Sequence, residues 1–222
     1  MKKLKLGVLI SGRGSNLQAL LDACADTDYP AEIVLVISNR PDAKGLERAR
    51  AANIATRIIE HTAYSDRESF DRDVDAALKS AGAQLICLAG FMRLLSVWFV
   101  GQWPDQIVNI HPSLLPAFKG TDSHAQALAS GVKVSGCTVH FVRSEMDAGP
   151  IILQAAVPVL PGDDEDSLAA RILTAEHRCY PHAVRLIAQG QVKVEGQRAI
   201  IAGNNEAASP LFNPSLDEPP LD

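Results

Sequence analysis

The chain has 222 residues, 47% apolar and 21% charged, enough to close one core of ordinary size and too few for two full domains. Lys and Arg number 21 against 26 Asp and Glu, and four of the five excess negative charges sit at Glu206, Asp217, Glu218 and Asp222, beyond the last basic residue, Arg198. A near-neutral body argues against a protein held on nucleic acid by neutralising phosphates, while leaving room for a local basic patch, so small-molecule partners are expected and a nucleic acid is not.

Leu4 to Ile10 is a short apolar run ending in Ser11-Gly12-Arg13-Gly14-Ser15-Asn16, after which Leu17, Leu20, Leu21 and Cys24 repeat at helical spacing. That pattern is strand, tight turn, amphipathic helix. The run is too short for a signal segment or a membrane span, which leaves a cytoplasmic protein as the expectation. Glu32 to Ser38 and Ala55 to Ile59 read as further strands on either side of a helical Ala43 to Ala52. Ser65-x-x-Glu68 has the form of a capping box ahead of Phe70, Val74, Ala77 and Leu78 on one helical face. Leu85 to Leu88 is the fourth strand, and Ile107 to Ile110 the fifth. The fifth runs into His111-Pro112-Ser113-Leu114-Leu115-Pro116, where two prolines forbid a helix and leave a rigid loop.

Val134 to Val142 and Ile151 to Val159 are two more strands without a helix between them. A long helix starts near 163–166, and Val192 to Ile201 makes a terminal hairpin around Gly196-Gln197. The expected fold class is α/β: a doubly wound, mostly parallel, Rossmann-like sheet with an antiparallel C-terminal part. One domain is expected over 1–203, followed by a mobile acidic, Pro-rich tail over 204–222. The cysteines at 24, 87, 137 and 179 form no C-x-x-C pair that would hold zinc, and reduced thiols are expected.

In sheets of this class ligands sit beyond the carboxyl ends of the strands, which singles out 11–16, 89–95 and 109–116. Gly12-x-Gly14 lets the backbone approach an anion, and the amides of Gly14, Ser15 and Asn16 would open a helix whose N-terminus favours a phosphate. The same residues would also serve a plain turn with Ser15 or Asn16 as the cap. Leu17 stands where a dinucleotide fingerprint has its third Gly, and no Gly-Lys-Ser/Thr is present. Asn109 and His111 alternate at a strand end and point to one side, an amide donor beside an imidazole that could polarise a carbonyl and move a proton. A capping Asn and a structural His are the alternative. Asp147, in a loop between two strands, would fix the His111 tautomer if the fold brought the two together, and is otherwise a solvated acid. His61, His124, His140, His177 and His182 are read as structural, and His177 and His182, about 140° apart on a helix, make no common ligand face.

Ser11-Gly12-Arg13-Gly14-Ser15-Asn16, Ala89-Gly90-Phe91-Met92-Arg93, Asn109 to Pro116 and Asp147-x-Gly149-Pro150-Ile151-Ile152 together resemble the phosphoribosylglycinamide formyltransferases over about residues 1 to 200. The His-Pro-Ser-Leu-Leu-Pro block alone resembles the wider 10-formyltetrahydrofolate enzymes, while the opening loop and Glu176-His177 narrow the acceptor. The resemblance implies formyl transfer from 10-formyltetrahydrofolate, as co-substrate and without a metal, to the amine of phosphoribosylglycinamide in purine biosynthesis. It implies Asn109, His111 and Asp147 as catalytic residues, and Gly14, Ser15, Asn16, Leu173, Thr174, Ala175 and Glu176 at the phosphoribosyl substrate. It places the folate on Arg67, Met92, Arg93, Leu94, Leu95 and Asn109 and on the loop Arg143, Ser144, Glu145, Met146 and Asp147. A monomer or homodimer is expected, with no membrane partner. Where the family usually has Pro before the Gly after Leu-Leu-Pro and His two residues beyond it, this chain has Lys119 and Asp122. A formyltetrahydrofolate hydrolase, a methionyl-tRNA formyltransferase and a non-catalytic phosphate-ligand sensor are the competing readings.

Overall fold

The computed structural model describes residues 2–203 and 212–213. Strands β1 (Leu4–Ile10), β2 (Ala31–Ser38), β3 (Thr56–Ile58), β4 (Leu85–Leu88) and β5 (Ile107–His111) pair in parallel, and β6 (Val134–Phe141) and β7 (Ile151–Pro158) extend the sheet antiparallel. The strand order is β3-β2-β1-β4-β5-β6-β7. Because both faces are covered, the strands read as unbroken apolar runs. Leu6, Val8 and Ile10 of β1 point to one face, where Leu17 and Leu20 of α1 (Ser15–Ala25), Leu46 of α2 (Gly45–Ala51) and Leu168, Ile172 and Tyr180 of α6 (Glu165–Ala188) bury them. Leu9 points to the other, against Phe70, Val74 and Leu78 of α3 (Arg67–Ser80) and Phe99 of α4 (Val97–Gln102). Each such side chain contributes about 1.5–3 kcal/mol by leaving water.

The helices start and stop for local reasons. The expected capping box at Ser65 and Glu68 is displaced by one residue: Asp66 caps α3, its carboxylate accepting from the Ser69 amide at 2.8 Å. Aspartate is the stronger acceptor and needs no reciprocal glutamate. On α6, Asp164 and Ser167 form a reciprocal capping box. Two short helices lie in stretches to which the sequence pattern assigns no element. The six-residue α4 opens on Ser96 Oγ, and the seven-residue α5 (Ser123–Ala129) follows Asp122 in a left-handed conformation. Pieces this short present too few turns to show a 3.6-residue period. The hairpin β8 (Val192–Glu195) and β9 (Arg198–Ile201) forms a separate two-stranded sheet.

Two features position the site. The strand order reverses between β1 and β4, so the segments after them diverge and open a crevice at their carboxyl ends. The Tyr180 hydroxyl, fully buried on α6, shares its hydrogen between the carbonyls of Leu88 and Val108 at 3.0 and 3.1 Å, clamping β4 to β5 just below that crevice. The acidic tail expected over 204–222 lies outside the described residues except for Phe212 and Asn213. The Asn213 amide donates to the Val159 carbonyl at 3.0 Å.

Candidate active site

Gly14 takes a left-handed conformation (φ 70°) and lets the chain turn from β1 directly into α1. The first-turn amides of α1 have no intrahelical acceptor and point out of the turn with the positive end of the helix dipole. Gly14 packs against Gly45 of α2, and the Arg48 guanidinium donates to the Arg13 carbonyl at 3.1 Å, bracing the loop from behind. A second brace runs through Ser11, whose hydroxyl donates to Asn39 Oδ1 at 2.6 Å and accepts from the Met92 amide at 2.8 Å. A cavity of about 540 Å³ opens here, lined by Ser11 to Asn16 together with Asn39, Arg40, His61, Met92 and Arg93. The free first-turn amides of α1 give it donors for a phosphate, and Arg13, Arg40 and Arg93 are among its lining residues, although the Arg40 guanidinium is paired with Asp42 and that of Arg93 lies over Phe70.

At the inner wall Asn16 Nδ2 donates to Glu176 Oε2 at 2.8 Å across 160 residues of chain. Burial raises the Glu176 carboxyl above its ordinary range, and the Asn16 bond opposes that shift only in part. Asn16 Oδ1 is buried without a hydrogen-bond partner. A carboxyl and an amide oxygen left this way, beside the anion loop, are suited to a ligand carrying hydroxyls or an amine. Leu173 and Ala175 lie partly buried on the same stretch of α6, while Thr174 is exposed and spends its hydroxyl on the Ala170 carbonyl.

The second group of residues meets at the end of β5. Asn109 pairs with Leu88 of β4 on one side and with His140 of β6 on the other, and His111 pairs with Thr138. Cross-strand partners share a face, so Asn109, His111, Thr138 and His140 line one surface. His111 is buried, with Nε2 2.9 Å from the Phe118 carbonyl and Nδ1 3.6 Å from Asp147 Oδ2. The Phe118 oxygen can only accept, so Nε2 carries a hydrogen and Nδ1 is the nitrogen left facing Asp147. Asp147, at φ 50°, is held by the Gly120 amide at 2.9 Å and lies 3.8 Å from His140 Nε2. The Ser123 hydroxyl approaches His111 Nε2 at 3.3 Å. Phe118, Gly120, Ser123 and His140 carry no motif in the sequence. Of these only His140 could have been flagged, because alternation along the β6 strand puts it on one face with Thr138.

The outer wall is apolar. Met92 (75% exposed) and Leu94 (53%) project beyond β4, with Leu95 partly buried behind them. The Arg93 guanidinium lies over the Phe70 ring at 5.1 Å, and its buried Nε has no partner. Arg67, at the start of α3, is exposed and acts with Arg93 to offset the rise that burial imposes on the Asp71 carboxyl. Across from this wall Ser144, Glu145 and Met146 are exposed, and Glu145 meets Lys119 at 3.5 Å. Arg143 instead turns its guanidinium to Asp105, away from the crevice. Among the described residues no group of three or more His, Cys, Asp or Glu could hold a metal ion, and no helix is long and apolar enough to cross a membrane.

A reversing parallel sheet with a glycine loop after β1 and an Asn-x-His strand end two strands away is the arrangement that the comparisons place in a known family. The chain belongs to the formyl transferase family, whose model matches residues 4–184. It is 45% identical to phosphoribosylglycinamide formyltransferase of Escherichia coli over 200 residues, covering 90% of this chain and 94% of that one. It is 52% identical to the trifunctional purine biosynthetic protein adenosine-3 of Gallus gallus over 192 residues, 86% of this chain but 19% of that protein, so it spans about a fifth of that relative's length. The crystal structure of glycinamide ribonucleotide transformylase 1 from Symbiobacterium toebii superposes with a TM-score of 0.89 at 51% identity, covering 90% of this chain and 95% of that one.

Proposed function

We propose that the protein transfers the formyl group of 10-formyltetrahydrofolate to the amine of 5'-phosphoribosylglycinamide, giving the N-formyl product and tetrahydrofolate, with residues 1–203 acting as one domain. The observation that carries this reading is the pairing of an anion loop with an Asn-His-Asp cluster two strands away. β1, β4 and β5 are adjacent, so the two groups are separated by about 10 Å, two strand spacings. A phosphoribosyl glycinamide is long enough to rest its phosphate on Gly14, Ser15 and Asn16 and bring its amine to Asn109. Glu176, between the two, would take the ribose hydroxyls or the amine. The folate would lie against Met92, Arg93, Leu94 and Leu95, with its formyl group at β5.

In this reading Asn109 donates an N–H to the formyl oxygen as the amine attacks and that oxygen becomes an oxyanion, a contribution of about 10²–10³ in rate for one such donor. The amine must then lose a proton and the folate nitrogen must gain one as the carbon–nitrogen bond breaks. His111 Nδ1 is the nitrogen available for that transfer, since Nε2 is committed to Phe118. An imidazolium formed there faces the Asp147 carboxylate, and a general acid–base of this kind supplies about 10²–10⁴.

The test is absorbance-monitored conversion of 10-formyltetrahydrofolate to tetrahydrofolate by the purified protein, with and without phosphoribosylglycinamide. Conversion that requires the amine is the expected result. Conversion without it would make the enzyme a hydrolase, and tight folate binding without turnover would make it a sensor.

A further inference from the structure

His140 reads as one more buried structural histidine in the sequence, yet the fold sets it directly across β5–β6 from Asn109, 1% exposed. The β6–β7 register shifts between Val139 and His140, an irregularity of the kind that re-aims a side chain beside an active site. The hydrogen bonds of the ring fix its tautomer. Nδ1 lies 2.9 Å from the Phe141 carbonyl, which can only accept, so the ring hydrogen is on Nδ1. Nε2 of the neutral ring is then a bare acceptor, and the group nearest to it is the Asn109 amide nitrogen at 3.4 Å.

We infer that His140 is the positioning residue for Asn109: its bare Nε2 takes one N–H of the Asn109 amide and thereby turns the second N–H, not the carbonyl, toward the reacting formyl oxygen. A side-chain amide is nearly symmetric in shape, and the flipped rotamer would present an oxygen to the developing oxyanion, a repulsion in place of a hydrogen bond. The arrangement needs His140 uncharged, because an imidazolium would turn a donor toward Asn109 and hold the amide the wrong way round. Burial lowers the His140 pKa and favours that neutral form. The charged and titratable groups facing it are Asp147 and Lys119 from the two loops and His111 from β5; the Asp147 carboxylate opposes the shift, and His111 and Lys119 reinforce it. The inference rests on Asn109 being the oxyanion donor, and the experiment separates the two claims.

The test is a double-mutant cycle on kcat with Asn109→Ala, His140→Leu and the pair, joined by His140→Gln. His140→Leu is expected to lower kcat about 10-fold, part of the roughly 10²–10³ that one oxyanion donor supplies, with KM for either substrate changed by less than about 2-fold. In the Asn109→Ala background the same change should cost nothing, since there is no amide left to orient. Gln, whose side-chain oxygen can accept where Nε2 does, should recover most of the loss. An equal loss from His140→Leu in both backgrounds would overturn the inference while leaving Asn109 in its role. An Asn109→Ala enzyme at full rate would remove the role of Asn109 itself. If His140→Leu does not fold, nitrogen-15 NMR of the wild-type protein at pH 7 decides: a hydrogen on Nδ1 alone is expected, and an Nε2–H tautomer or an imidazolium would overturn the proposal.

Discussion

Substituting Gly14 with alanine tests whether the anion loop is built as described, because two independent costs fall on one atom. The residue sits at φ 70°, and an added Cβ would come within 2.6 Å of the Gly45 Cα, a backbone atom that cannot rotate away. Left-handed backbone costs an L-residue about 1–2 kcal/mol, and a stiffer unfolded chain returns about 0.4–1 kcal/mol of it. The overlap with α2 adds the cost of an overpacked contact, about 1–3 kcal/mol. The sum is a net destabilisation of about 3 kcal/mol, or a Tm lower by about 6–12 °C for a domain of this size. The loop can relieve the overlap only by moving away from Gly45, which displaces the amides of Ser15 and Asn16. KM for phosphoribosylglycinamide should therefore rise about 10-fold or more while KM for the folate stays within about 2-fold. Gly12, two residues earlier, is the control: a Cβ there meets nothing within 4 Å and its φ is ordinary, so Gly12→Ala should leave Tm within about 1–2 °C, an effect inside ±0.5 kcal/mol. Thermal melts and initial-rate kinetics on both variants decide. A Gly14→Ala protein with wild-type Tm and KM would refute the close packing of α1 on α2 as the reason for that glycine.

Three further outcomes follow from geometry already given. His111→Ala should lower kcat by about 10²–10⁴ with folate binding, read by fluorescence titration, nearly unchanged; an unchanged rate would remove the proton-transfer step proposed here. Burial holds the Glu176 carboxyl above its unfolded value, so the folded protein binds that proton more tightly than the unfolded chain. Stability is then highest below the unfolded pKa, about 4.3, and declines as pH rises toward the folded value. Glu176→Gln should flatten that decline as pH rises above the unfolded pKa; parallel Tm curves for the two proteins would contradict this. Trp103→Phe removes the buried bond from Nε1 to Asp75 Oδ1 at 2.8 Å. Because Lys79 still pairs with Asp75, the loss should be about 1–2 kcal/mol by urea denaturation, and a neutral result would mean that the bond adds nothing beyond packing.

The strands were legible because both faces of the sheet are covered, and uninterrupted runs such as 33–37 and 85–88 have no other explanation in a chain with this composition. The long α6 declared itself through its acidic start. The α3 cap lies one residue beyond Ser65 because the Asp66 carboxylate caps the helix alone, without the reciprocal Glu68. Of the candidate site, the loop at 11–16 and the Asn-x-His strand end could be read from strand ends and turn chemistry alone. The approach of Asp147 to His111 could not, since it depends on how β6 and β7 return across the sheet; alternation along β6 puts His140 on one face with Thr138 but does not by itself pair it with Asn109. Antiparallel register depends on turn geometry as well as on the hydrophobic pattern, and the shift between Val139 and His140 shows in neither alone.

The Tyr180 clamp has a consequence for how the protein is made. The two carbonyls it joins belong to Leu88 and Val108, which leave the ribosome some 70 to 90 residues before the hydroxyl that pairs them. At about 5–20 residues per second that gap is several seconds or more. Throughout it, the face of the sheet destined for α6 is uncovered, with Val108 and Ile110, and later Cys137 and Val139, presented to solvent or to whatever shields nascent chains. The β4–β5 ladder can pair earlier, but the Tyr180 bonds that tie its end to α6 form only when that helix docks. Synthesis thus exposes a sticky sheet first and delivers a working site last, and a chain that stalls before residue 180 would carry the anion loop, Asn109, His111 and Asp147 without the helix that holds their strands in place.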